Sequence, residues 1–316
     1  MSGGLFFMQR VNKRVKAFRP YGQWIVLTLN RMNPNAFKRT WREIITPQKN
    51  IFSLDLKEIW NYRDLLFILV RRDILAIYKQ TILGPLWFFL QPLLTTITFV
   101  IVFSRVGKVY QSDFPPLLFY LSGLVLWSYF SECILRTSTF LKDNNPILSK
   151  VYFPRLIVPL SLILTNLVKL CIQLVVFVLV YTYFLVKTPV IRPNIYALLF
   201  PLLILLIAGL GLGAGMIISS LTTRYKDLSH LTTFGVQLLM FVSPVIFPIN
   251  YFGGGYRLLV MANPMTGIIE AFRYGFSGQG YFSWGLLGYD AACVILFLVL
   301  GIITFNAVEK NFIDSI

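Results

Sequence analysis

Residues 195–221 contain no charged side chain, and apolar runs of similar length recur along the chain with charged punctuation between them. About 20 apolar residues in helical form cross the hydrocarbon core of a bilayer. In lipid only helices and closed barrels satisfy their own backbone hydrogen bonds, and the weak polar/apolar alternation of barrel strands is missing here. A mean hydropathy of +0.69 with only 13% charged residues rules out an ordinary soluble domain of this length. The sequence therefore predicts an all-α integral membrane protein.

The runs predict six transmembrane helices: 83–103, 116–135, 156–186, 195–221, 227–249 and 284–305. Ahead of them, residues 1–52 form an N-terminal extension with scattered Lys and Arg, to which no role is assigned. Its order, apolar then basic, is the reverse of a secretory signal, so no cleaved signal is expected. Over 53–82, Leu56, Ile59, Trp60, Phe67, Val70, Ile74 and Ile77 recur at helical spacing with Lys57, Arg63, Arg71 and Arg72 elsewhere, the pattern of an amphipathic helix at a membrane interface. Gly84-Pro85 opens the first span, where proline is tolerated, and Gln91-Pro92 places a kink inside it. The freed carbonyl requires a neighbouring helix or a cavity. Gly209, Gly211, Gly213 and Gly215 in the fourth span predict close helix packing rather than a ligand cradle. The stretch 250–283 is broken by Gly253-Gly254-Gly255, Asn263-Pro264, Gly275, Gly278 and Gly280, yet is too aromatic for a simple loop. Two short re-entrant helices, 256–262 and 264–275, fit it better. Residues 307–316 form a short tail.

The charge balance, 29 Lys+Arg against 13 Asp+Glu, reads as topology rather than nucleic-acid binding. With six spans both termini lie on one side, and 22 of the basic residues fall on that side against six on the other. By the positive-inside rule both termini are cytoplasmic.

Signals for catalysis are sparse. His230 is the one histidine, with no nucleophile or carboxylate at a recognised catalytic spacing, and a capping or packing role is expected. Asp-x-Asp and the phosphate-cradling G-x-x-x-x-G-K-[ST] are both absent. Cys133, Cys171 and Cys293 lie far apart within apolar runs and suit packing rather than metal or disulfide chemistry. No catalytic, cofactor-binding or metal residue is assigned. Lys169 interrupts the third span, and an intramembrane cation usually faces a bundle interior or a wet cavity. Glu132 and Asp290 are expected close to the interfaces. Aromatic faces can hold sugar rings weakly at many points, which makes Tyr120, Trp127, Tyr129 and Phe130 candidates, with Lys169, for lining a path.

The order Tyr78-Lys79-Gln80-Thr81, Leu83-Gly84-Pro85-Leu86-Trp87 and Gln91-Pro92 resembles the first membrane entry of ABC-2 permeases that export polysaccharides, among them O-antigen, capsule and teichoic acid exporters. Asn145, Leu148, Lys150-Val151 and Phe153-Pro154-Arg155 are similar to that family's loop after the second span. Arg224-Tyr225-Lys226-Asp227, Ser243-Pro244-Val245 and Asn263-Pro264 continue the likeness, which covers about residues 55–310. The resemblance implies that 143–155, with Asn144, Asn145, Pro146, Lys150, Phe153, Pro154 and Arg155, is a coupling element docking on a separate ATP-hydrolysing subunit. It further implies a homodimer of this chain with two ATPase copies, ATP and Mg bound by the partner, and a lipid-linked polysaccharide as cargo in a bacterial inner membrane. Arg71, Arg72 and Lys79 would then stand near the cytosolic entrance, and 250–283 would form an outer gate. An exporter of a small lipid or drug shares this architecture, and a membrane-embedded glycan-modifying enzyme is the alternative of a different class.

Overall fold

The computed structural model describes residues 56–313 except for 80–83, 109–113, 144–152, 190, 224, 226 and 252; the expectations for residues 1–52 fall outside the described residues. The described elements are helical. In chain order they are α1 (Leu56–Asn61), α2 (Arg63–Lys79), α3 (Trp87–Phe99, continued by a π-helical stretch Val100–Val106), α4 (Pro116–Asp143), α5 (Ile157–Lys187), a 3₁₀ turn Ile195–Leu199 leading into α6 (Phe200–Thr222), α7 (Leu228–Phe241), α8 (Gly255–Ala262), α9 (Pro264–Ser277) and α10 (Trp284–Ile313). Among the described residues five helical stretches are long and apolar enough to cross a membrane: Trp87–Val106, Pro116–Asp143, Ile157–Lys187, Ile195–Thr222 and Trp284–Ala307.

Helix α6 is the hub, packed between α4 and α10. The alternating glycines explain how. Residues two apart on a helix point about 200° apart, so the row serves two faces. A Cβ at Gly211 would lie 2.5 Å from Cys133 Cβ and one at Gly215 2.5 Å from Thr137 Cβ, both on α4. At Gly213 a Cβ would lie 2.5 Å from the carbonyl carbon of Phe297 on α10, whose Gly301 in turn approaches the backbone of Gly213. The row is a packing device, as the spacing predicts.

Two expected boundaries need correction. Helix α4 does not end near Leu135 but runs two turns further to Asp143, because Thr137, Ser138, Phe140 and Leu141 are all buried and Thr222 Oγ1 on α6 donates to the Ser138 carbonyl at 2.8 Å. The fifth run is not one helix to residue 249. Helix α7 stops at Phe241 after 14 residues, a length of about 21 Å at 1.5 Å per residue. Pro244 supplies no N–H and disfavours helical backbone at Ser243. Its neighbours Ser243 to Ile246 continue as buried turns.

The two short helices after this break, α8 and α9, occupy the interval anticipated for them. Asn263 caps α9 by accepting from the Met265 N–H, and Pro264 takes the first helical position, the order that starts helices well. Helix α9 is buried along most of its length, which sets it apart from a surface hairpin. By contrast α3 and α7 expose most of their apolar surface, including Leu94, Ile97, Ile101, Leu231, Phe234, Leu238 and Phe241.

Candidate functional site

At the end of the bundle that carries α2, a compact apolar cluster joins five helices. Leu69 of α2, Phe140 and Leu141 of α4, Ile157, Val158 and Leu162 of α5, Met216 of α6 and Phe305 of α10 form it together with Phe153. Phe153 is buried, and the Pro154 and Arg155 carbonyls accept the Ile157 and Val158 N–H groups, so the segment enters α5 without a flexible joint. Of the coupling residues read from the sequence, Phe153, Pro154 and Arg155 meet here. Asn144, Asn145, Pro146 and Lys150 lie outside the described residues.

Helix α2 turns Leu65, Leu66 and Leu69 into this cluster, while Trp60 of α1 and Phe67 and Ile68 of α2 stay exposed. The helix is thus apolar on two sides, and the stripe through Trp60 and Phe67 is the one left unburied. Arg71, Arg72 and Lys79 are exposed on the same helix. Arg72 is held 2.8 Å from Asp73 and lines, with Arg136, Thr139 and Asp143, a cleft between α2 and α4.

A cavity of about 190 Å³ lies between α3, α4 and α5. Gln91 and Pro92 line it, so the proline-bearing turn of α3 faces protein and a cavity. Lys169 reaches in from α5 and its Nζ donates to Glu132 Oε2 at 2.6 Å; Arg136, one turn along α4, donates to the same oxygen from Nε at 3.2 Å. The Lys169 ammonium also stands 5.7 Å from the Phe88 ring centroid. Ser128 donates to Gln173 Oε1 at 2.8 Å on the wall, and Trp127, Tyr129 and Asn166 complete much of the lining. Three of the path candidates, Lys169, Trp127 and Tyr129, therefore share one cavity. Tyr120 and Phe130 do not: Tyr120 is fully buried against Phe99 and Phe103, and Phe130 packs on Trp127.

At the opposite end, a second ionic group was not legible in the sequence. Arg273 and Glu270 on α9 form a buried ion pair at 3.2 Å. The Arg273 guanidinium also donates to the carbonyls of Pro244 and Phe119 and to Ser122 Oγ, and lies 3.7 Å from the Phe119 ring centroid. Glu270 accepts from the Tyr281 N–H. The guanidinium thus fills the role that lost helical N–H groups would have played beyond the end of α7. Glycine at 123 leaves room for it, since a Cβ there would lie 2.7 Å from Arg273 Nη2. Asp290, expected near an interface, is fully buried beside Gly267 of α9. His230 is exposed on the first turn of α7.

Comparison with known proteins adds relationships to this geometry. A family model described as ABC-2 type transporter matches residues 64–277, from α2 through α9. The O-antigen export system permease protein RfbA of Myxococcus xanthus is 28% identical over 223 residues, 69% of this chain and 82% of that protein. A protein of the same name from Klebsiella pneumoniae is 24% identical over 257 residues, 79% of this chain and 94% of its own length.

Proposed function

Because the chain belongs to the ABC-2 type transporter family, we propose that it is the membrane permease subunit of an ATP-driven exporter whose cargo is an O-antigen-like, lipid-linked polysaccharide. The names of its relatives support that cargo. ATP and Mg belong to a separate ATPase subunit, present in two copies beneath a homodimer of this chain. The assembly sits in a bacterial inner membrane with both termini in the cytosol, the orientation that the excess of basic residues favours.

Transport requires that closure of the ATPase pair be passed into the spans. The observation that carries this reading is the burial of Phe153 among α2, α4, α5, α6 and α10. A push on the chain just before it reaches five helices at once, because a packed cluster transmits displacement rather than absorbing it. Helix α2 lies along the cytosolic interface with Trp60 and Phe67 toward lipid, and Arg71, Arg72 and Lys79 stand at the entrance. Helices α8 and α9 shape the outer exit, anchored by Arg273. The exposed apolar faces of α3 and α7 meet the second copy.

Two experiments test the coupling. A cysteine at Asn145 is expected to crosslink to the partner ATPase in the reconstituted complex. Replacing residues 144–152 by a Gly/Ser linker is expected to abolish cargo-dependent ATP hydrolysis while assembly persists; unchanged coupling in that variant would sink the proposal.

A further inference from the structure

We infer that the cavity between α3, α4 and α5 is an anion site that takes the phosphate-bearing end of the lipid-linked cargo, with Glu132 as a displaceable internal counter-ion. The inference rests on the export reading above for the identity of the ligand, and on geometry for its charge. Two cations, Lys169 and Arg136, share one carboxylate oxygen of Glu132, which leaves the trio with one net positive charge. Glu132 lies about 24 Å along α4 from Pro116 and Lys169 about 18 Å along α5 from Ile157. Both therefore sit well inside helices that span the bilayer, where an unbalanced charge is costly and marks function.

The donors point the same way. A lysine ammonium carries three N–H groups and a guanidinium five. Among the described residues Lys169 and Arg136 each spend one, on Glu132. Several directed donors around a surplus positive charge match a phosphate, whose oxygens accept several charge-assisted hydrogen bonds at once. Arg136 meets the cavity through Glu132 and also lines the neighbouring cleft, where Arg72 is matched by Asp73 and Asp143 accepts from Thr139. The cavity wall also suits the rest of such a ligand, because Trp127 and Tyr129 offer apolar faces beside the polar Gln91 and Gln173.

Glu132 gives the site a way to release what it binds. Its side chain is 43% exposed while that of Lys169 is 12% exposed, so the carboxylate stands on the open side of the pair. An arriving phosphate exchanges with it, and when the phosphate leaves the carboxylate returns to the cations. Neither state strands two positive charges in a low-dielectric wall. Binding stays weak enough for transit because each ligand displaces an existing ion pair.

The test uses the purified complex of this chain with its ATPase, without nucleotide, in phosphatidylcholine nanodiscs. Farnesyl phosphate is titrated against farnesol, with Trp127 fluorescence as the reporter and Trp127→Phe as the blank. Farnesyl phosphate is expected to bind at least about tenfold more tightly than farnesol, the difference that about 1.4 kcal/mol of charge recognition produces. Lys169→Gln is expected to remove that preference, Lys169→Arg to restore most of it, and Glu132→Gln to tighten binding by about threefold or more. Equal binding of the alcohol, or a preference that survives Lys169→Gln, overturns the proposal. So does displacement by phosphatidylglycerol in the nanodisc as effective as by unlabelled farnesyl phosphate, which would make this a site for bulk membrane lipid. A complex that exports polysaccharide but lacks the binding pattern sinks the anion site alone; one that shows the pattern but exports no polysaccharide supports the site and sinks the cargo assignment.

Discussion

Replacing Arg273 by Met keeps most of the side-chain length and removes the guanidinium, and its cost follows from what the guanidinium holds. Arg273 and Glu270 are both almost fully buried, so solvent does not screen the loss. The variant leaves the Glu270 carboxylate with the Tyr281 N–H and no counter-ion, deprives the Pro244 carbonyl of its guanidinium donor, and leaves the Phe119 carbonyl with Ser122 Oγ but without the guanidinium. Removing one member of a buried ion pair typically costs about 3–5 kcal/mol. At about 2–4 °C per kcal/mol for a chain of this size class, the melting temperature should fall by roughly 10 °C. Scanning fluorimetry of the purified full chain in nanodiscs measures it. The partner change separates charge from packing: Arg273→Met with Glu270→Met removes the stranded carboxylate and should recover at least about half of the loss. A single variant that melts within about 2 °C of the parent, or a double variant worse than the single, would refute the view that this pair clamps α9 to α4 and to the end of α7.

Other expectations follow from the packing. Gly213→Ala must push α6 and α10 apart, since its Cβ meets backbone at 2.5 Å; a loss of about 1–3 kcal/mol is expected, whereas Gly235→Ala, with nothing within 4 Å, should be neutral or stabilising by up to about 1 kcal/mol. Gly267→Ala places a Cβ 2.0 Å from Asp290 Oδ2, so it should destabilise the chain in a melting assay, and adding Asp290→Ala should relieve part of that; additive losses would count against the contact. Phe153→Ala removes a buried ring from the cluster beside α2 and should cost about 3–5 kcal/mol of stability as well as cargo-stimulated ATP hydrolysis, while Phe153→Leu retains most of both. Lys169→Cys in a cysteine-free background should react with a small charged thiol reagent, and complete protection through the whole ATP cycle would exclude a wet cavity.

Much of the fold was legible because lipid leaves few options. An uncharged stretch such as 195–221 must be a helix, and Gly84-Pro85 and Asn263-Pro264 stand where helices start, so the positions of α3, α5, α6, α9 and α10 follow from local chemistry. The glycine row of α6 announced close packing, though not that it serves α4 and α10 alternately. The limits of α4 and α7 were misjudged for opposite reasons. Polar residues after Leu135 looked like a loop, yet they are buried against α6, and the apolar stretch through Ile249 looked like a span although Pro244 breaks it.

The candidate site divides in the same way. Lys169 drew notice as a charge inside an apolar run, but its partner Glu132 lies 37 residues away on another helix, and no periodicity links the two. Glu270 and Arg273, one turn apart within the short helix expected at 264–275, drew no notice, because nothing local in the sequence marks the pair as buried. What the sequence determined by itself was the solvent and most of the helices, because hydropathy acts one segment at a time. Which charges meet, which aromatics line a cavity and which carbonyls a guanidinium completes were decided only by the tertiary structure. Ion pairing and hydrogen bonding act over about 3 Å between side chains, and only helix packing brings α3, α4 and α5, or α4, α7 and α9, within that distance.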